Sequence, residues 1–100
     1  MKLFIDTSNS QDITVRVGKT TIQKPSHNKA SQFLLQSIKE AAEIENIKLQ
    51  HIKEIEVNTG PGSFTGLRVG VSVANALGWA LKIPVNGKSV KKDGPVEPTY

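Results

Sequence analysis

The sequence contains no cysteine. Disulfide staples and thiolate metal sites are therefore excluded, and the chain carries no thiol signal of its redox compartment. Aromatic residues are scarce at 5%, and they do not interleave with the 13 lysines and arginines. The pattern thus lacks the aromatic-plus-basic platform of a single-strand nucleic-acid binder. Histidine occurs twice, at His27 and His51, far apart in sequence. No carboxylate cluster at ligand spacing accompanies either, so no metal centre is indicated and both read as surface histidines. There is no long hydrophobic run. The most apolar stretch, Val69 to Leu81, is broken by Ser72 and Asn75 and is too short to span a bilayer. Leu3-Phe4-Ile5 is too short for a signal-peptide core. A soluble, cytoplasmic protein without membrane contact is the expectation.

What is present suits one small domain. One hundred residues, 37% of them hydrophobic, supply a single modest core. The formal net charge of +4 favours solubility and an acidic partner. Lys88, Lys91 and Lys92 gather near the end and read as part of a solvated basic tail.

Periodicity orders the chain. Leu3-Phe4-Ile5 is a continuous apolar run, as in a strand covered on both faces. Ile13 to Val17 alternates apolar and polar, as does Glu54 to Val57, and each predicts a strand with one wet face. Gly18-Lys19 suits a hairpin turn into a third strand, Thr20 to Gln23, ended by Pro25. Ser26 and Asn28 are candidate N-caps for a helix over about Lys29 to Glu45. Phe33, Leu34, Ile38, Ala41 and Ala42 share one face of that helix, and Leu35 and Ile44 widen it. A second helix runs to about Leu81. Ile83-Pro84-Val85 reads as a short last strand, placed at an edge by its proline. Residues 1–87 form the expected lobe, and residues 88–100 an irregular tail. The order is βββαβαβ: an α/β fold whose five-stranded mixed sheet carries both helices on one face, because right-handed crossovers advance the same way.

The second helix has surplus apolar surface. On a wheel at about 100° per residue, Leu67, Val71, Ala74, Gly78 and Leu81 form one stripe. Val69, Val73, Ala76, Leu77 and Ala80 extend it to roughly 200°, twice what one sheet needs. Gly66, Gly70, Ala74 and Gly78 recur every four residues. A glycine inside a helix costs about 0.5–1 kcal/mol relative to alanine, so this row requires close packing, on the chain's own sheet or on another helix. The expected protein–protein surface is Val69, Val73, Ala76 and Ala80 with Arg68, Ser72 and Trp79 at the rim and Leu35 on the first helix.

The loop "NTGPGSFTGLRVG", Asn58 to Gly70, resembles a phosphate cradle at first sight. A P-loop needs Lys-Ser/Thr after its last glycine, whereas Leu67-Arg68 follows Gly66. Gly60, Gly62 and Gly66 are one residue too widely spaced for G-x-G-x-x-G. A loop that opens a helix still aims backbone N–H groups at an anion. Asp6, Thr7, Ser8 and Ser63 are the candidates for such binding, and Ser63 or Thr65 for the helix cap.

"FIDTS", the helix after His27, "GPGSFTGLRVGVSVANALGWAL" and the following "IPV" together resemble the TsaB (YeaZ) family of tRNA threonylcarbamoyladenosine biosynthesis proteins. The match covers about residues 2 to 87, and its specific element is Gly60, Pro61, Gly62, Ser63, Phe64, Thr65 and Gly66. The resemblance implies an actin-like (ASKHA, ribonuclease H-like) lobe. It implies a non-catalytic scaffold for TsaD, the threonylcarbamoyl transferase that acts on tRNA adenosine, with the ATPase TsaE in the larger complex. ATP and metal would belong to those partners, tRNA contact would be indirect, and a second copy could replace TsaD on the helices. Two features depart from the family. Its usual second lobe does not follow, although "PVEPTY" faintly resembles the Pro-x-Tyr close of longer members. Asn86 to Asp93 also lack the metal histidines of the catalytic paralogue. The residues themselves leave two other readings open: a nucleotide-binding lobe using Asp6, Thr7, Ser8 and the glycine loop, and a homodimerising module.

Overall fold

The computed structural model describes residues 1–27 and 29–99. The chain begins with a meander of β1 (Lys2–Asp6), β2 (Asp12–Val17) and β3 (Thr20–Pro25). Helix α1 (Ala30–Ile44), a 3-10 turn at Leu49–His51, strand β4 (Glu54–Val57) and helix α2 (Phe64–Leu81) follow, and a helical turn, α3 (Val90–Asp93), comes last. The sheet is mixed and four-stranded, in the order β3-β2-β1-β4, with β4 parallel to β1 and the other pairs antiparallel.

Register sorts the side chains. Leu3 stands opposite Val17 and Ile55, and Ile5 opposite Val15 and Val57. These residues are buried, whereas their neighbours Lys2, Arg16, Glu54 and Glu56 are exposed. Alternation with a period of two therefore gives one dry face and one wet face. Leu34, Ile38 and Ala41 of α1 and Val71 and Ala74 of α2 join the dry face in one core cluster. Each large aliphatic side chain buried there contributes ~1.5–3 kcal/mol by leaving water. On the wet face Lys2 pairs with Glu56 at 2.8 Å, and the Arg16 guanidinium lies 5.2 Å from the centre of the Phe4 ring.

The sheet differs from the expected five strands. Ile83-Pro84-Val85 makes a single bridge to Ile55 rather than a strand. Ile55 N–H donates to the Pro84 carbonyl and Asn86 N–H to the Ile55 carbonyl. The chain then turns away, because Asn86 and Gly87 both have positive φ, and the Val85 and Lys88 backbones bond across the turn. Two positive φ values at the centre of a two-residue turn are what Asn-Gly favours. The Asn86 side chain supplies the missing continuation: its amide oxygen accepts from Val57 N–H at 2.8 Å and its NH2 donates to the Val57 carbonyl at 3.1 Å.

Three further expectations are corrected. Leu35 and Ile44 do not widen the buried face of α1; they are 52% and 60% exposed. Ser26 does not cap α1. The cap position is Lys29, without a side-chain hydrogen bond, while Ser26 is buried in the preceding turn with its N–H donating to Gln11. Asn28, the other candidate cap, lies outside the described residues. Nor is the tail irregular throughout. Ser89 caps α3 by accepting from Lys92 N–H, and the segment beyond is strapped to α2. There the Asn75 side chain donates to the Val96 carbonyl at 2.9 Å and accepts from Val96 N–H at 3.0 Å, and Thr99 N–H donates to the Thr59 carbonyl. Tyr100 lies outside the described residues.

Candidate functional site

Parallel pairing brings the carboxyl ends of β1 and β4 to the same end of the sheet. Asp6-Thr7-Ser8 leaves β1 there, and Asn58 to Ser63 leaves β4 to enter α2. Asn58 N–H donates to the Ile5 carbonyl, and Ser63 N–H to the Ser8 carbonyl at 2.7 Å, so the two segments run together. The Gly60–Pro61 peptide bond is cis.

The polar groups of this junction bind one another. Asp6 Oδ1 accepts from Ser8 N–H at 2.9 Å, from the Ser8 hydroxyl at 2.6 Å and from Asn58 Nδ2 at 3.3 Å. Asn58 Oδ1 in turn accepts from Gly60 N–H. The Thr7 hydroxyl, fully buried, donates to the Gly66 carbonyl at 2.6 Å. Ser63 Oγ accepts from Gly66 N–H and caps α2. The four residues considered for an anion, Asp6, Thr7, Ser8 and Ser63, thus converge: Thr7 fastens the end of β1 to α2, Asp6 and Ser8 bond each other and Asn58, and Ser63 caps α2. The adjoining crevice, lined in part by Ser26, Ser63 and Thr65, holds about 40 Å³. Ordinary small-molecule pockets hold roughly 300–1,000 Å³.

The glycines follow from this fastening. A β-carbon at Gly66 would lie 2.2 Å from the Thr7 carbonyl oxygen, and one at Gly70 2.2 Å from Thr7 Oγ1. At Gly78 it would meet Val85 Cγ2 at 2.4 Å. The small-residue row of α2 therefore faces inward, against the end of β1 and the bridge after α2.

What remains for the outside is the other half of the helix. Arg68, Ser72, Ala76, Trp79 and Ala80 are exposed, and Val69 and Val73 are half-buried. Val69, Val73, Ala76 and Ala80 recur at three- and four-residue intervals and make one apolar stripe. Arg68 and Ser72 lie on the flank where Pro95 to Pro98 pass. The Arg68 guanidinium sits 5.3 Å from the centre of the Phe64 ring. Leu35 stands apart from this set, in a hollow with Gln36, Lys39, Glu40 and Glu43 of its own helix. Phe64, in the motif loop, is 56% exposed at the start of α2.

The histidines do not meet in a constellation. Nδ1 of His27 is 3.4 Å from Gln11 Oε1, and Nδ1 of His51 accepts from Lys48 N–H. Among the described residues no group of three or more histidines or acids could hold a metal, and no helix is long and apolar enough to cross a membrane. Sequence reasoning missed Asn58, Asn75 and Asn86, whose side-chain amides join elements distant in the chain. The Asn-Gly pair at 86 and 87 was a turn signal in plain sight. Nothing local marks the other two.

Residues 13–89 match the protein family described as TsaD: tRNA N6-adenosine threonylcarbamoyltransferase. The tRNA threonylcarbamoyladenosine biosynthesis protein TsaB of Bacillus subtilis is 48% identical over 40 residues, which cover 40% of this chain and 18% of that protein. The TsaB protein of Buchnera aphidicola subsp. Schizaphis graminum is 32% identical over 90 residues, covering 87% of this chain and 43% of the relative. The solved structure of YeaZ from Pseudomonas aeruginosa superposes with a TM-score of 0.70 at 26% identity, over 84% of this chain and 40% of that one. The chain thus spans less than half the length of these relatives.

Proposed function

The chain belongs to the TsaD family of tRNA N6-adenosine threonylcarbamoyltransferases, with relatives named TsaB and YeaZ, and from that membership we propose that it is a non-catalytic scaffold for threonylcarbamoyladenosine (t6A) formation in tRNA. In this reading it corresponds to the N-terminal lobe of a TsaB protein and supports a TsaD-like transferase by packing helix on helix. A TsaE-like ATPase joins the larger complex. ATP, metal and tRNA are handled by the partners, and the work is done in the cytoplasm.

One observation carries the reading. The glycines of α2 are consumed inside the lobe, yet Ala76, Trp79 and Ala80 stay exposed and Val69 and Val73 stay half-exposed beside them. Such a stripe fits a second helix, with Arg68 and Ser72 as its polar rim. Leu35 offers a further apolar contact on α1. The Asp6–Thr7–Ser8 junction supports a structural role instead of catalysis, since its polar atoms hold the loop.

Co-purification with a TsaD-like protein tests this. Val73→Glu should abolish the complex while leaving the circular dichroism spectrum unchanged. Ala76→Arg, at an exposed position, gives the same test without touching a half-buried side chain. Undiminished association of either variant would remove the α2 face from the proposal. Sedimentation of the chain alone separates the alternative, a homodimer on the same stripe. Calorimetry with ATP and magnesium separates the nucleotide-binding lobe, which should give heat where a scaffold gives none.

A further inference from the structure

The basic cluster near the end of the chain does not belong to a loose tail. Helical turn α3 folds back beside the C-terminal end of α2 and makes a groove of about 280 Å³. Trp79, Ile83 and Val90 are among its apolar lining, and Lys82, Lys91 and Lys92 stand at its margin. Trp79 is 59% exposed. The three lysines have no ion-pair partner among the described residues; the ion pairs found there are Lys2–Glu56 and Lys24–Glu40. The nearest acid in sequence, Asp93, is engaged, accepting from Ser89 N–H at 3.0 Å.

We propose that this groove docks an acidic peptide segment of a partner protein, with one large apolar side chain seated between Trp79 and Val90 and carboxylates on the three lysines. Charge complementarity selects the occupant. Ammonium groups without an ion-pair partner around an exposed apolar patch attract carboxylates at contact and steer them from a distance. Tryptophan is the side chain most enriched at the energetic centre of such contacts. A single-stranded nucleic acid would meet the same charges, but it binds through a series of stacking planes, and this groove has one indole with aliphatic walls. The proposal shares Trp79 with the helix face proposed above but does not rest on that reading: it needs the α2–α3 junction and not the Val69–Val73 stripe.

Trp79 is the single tryptophan of the chain, so its fluorescence reports the groove directly. The probe is the synthetic peptide acetyl-Glu-Asp-Leu-Phe-Glu-Glu-amide, titrated into the full chain. Emission should shift to the blue and saturate, and the response should weaken as salt rises. The double variant Lys91→Glu/Lys92→Glu should weaken binding at least tenfold, with its far-ultraviolet spectrum unchanged. Lys82→Gln, which alters one charge on a different element, should weaken it less. Val73→Glu should leave the titration intact. An unaltered emission, or an equal response to the peptide with glutamines in place of its acids, would overturn the proposal. So would tighter binding of an oligouridylate, which would assign the groove to nucleic acid.

Discussion

The hydroxyl of Thr7 donates to the carbonyl of Gly66 across 2.6 Å, although 59 residues separate them. This contact joins the end of the first strand to the first turn of α2. It leaves no room for side chains on the facing glycines, and it separates two kinds of clash.

At Gly70 a new β-carbon meets the Thr7 side chain, whereas at Gly66 it meets the Thr7 backbone. Both Gly70→Ala and Gly66→Ala should cost about 2–4 kcal/mol in urea unfolding. Thr7→Ala alone should cost about 0.5–1.5 kcal/mol, by removing a buried hydrogen bond to a carbonyl that the helix also uses. Combined with Thr7→Ala, Gly70→Ala should lose part of its cost and Gly66→Ala should lose none. Equal coupling for the two glycines would refute this geometry.

Leu34 and Leu35 are adjacent, but one is 1% exposed and the other 52%. Leu34→Ala should lower stability by about 2–5 kcal/mol, through lost transfer energy and a cavity. Leu35→Ala should stay within about 0.5 kcal/mol. Thermal unfolding of the pair checks that α1 turns this face, and not the wider one, to the core.

Asn75 holds Val96 through both backbone hydrogen bonds. Asn75→Ala should cost about 1–2 kcal/mol for two bonds of ordinary strength. Its clearer effect should be local, with limited proteolysis cutting near residues 94–98 faster while the fragment below stays resistant. Unchanged cleavage would mean the clamp does not hold the strap.

The pKa of Lys2 is raised above its ordinary 10.5, first by its hydrogen bond to Glu56 and then by the Glu56 charge. A raised lysine stabilises the fold below the unfolded-state value and loses that contribution as pH climbs through the folded one. Stability should therefore fall above pH 10.5 by more in the native chain than in Lys2→Met. The pair is exposed, so the difference should shrink near 1 M salt, where screening acts over about 3 Å and weakens the charge contribution.

Elements built on local pattern were readable before the fold was known. The alternation in Ile13–Val17 and Glu54–Val57 and the apolar stripe of α2 fixed strand faces and helix orientation, because a side chain's face follows from its place in a period of 2 or 3.6. The surplus stripe on α2 was legible for the same reason. The direction of the glycine row was not: a stripe of small residues has the same spacing whether it meets its own sheet or another protein. The positions of Thr7 and Val85 decide, and that of Thr7 depends on parallel pairing between residues 52 positions apart, as Ile5 and Val57 show. The three asparagine clamps escaped because a side-chain amide can replace a backbone unit at almost any sequence distance. The fifth strand failed at a turn, where Asn86-Gly87 reverses the chain after one bridge.

The central strand also sets a timetable. Leu3 finds Val17 across 14 positions (3 to 17) and Ile55 across 52 (3 to 55). By loop-closure entropy the second encounter costs about 1.2 kcal/mol more than the first. It also waits for α1 to be synthesised and packed. During that interval Leu3-Phe4-Ile5 presents an open edge, the kind of template on which nascent chains pair with one another. Slow translation through α1 would lengthen the exposure, and a chaperone that shields the first six residues would shorten it.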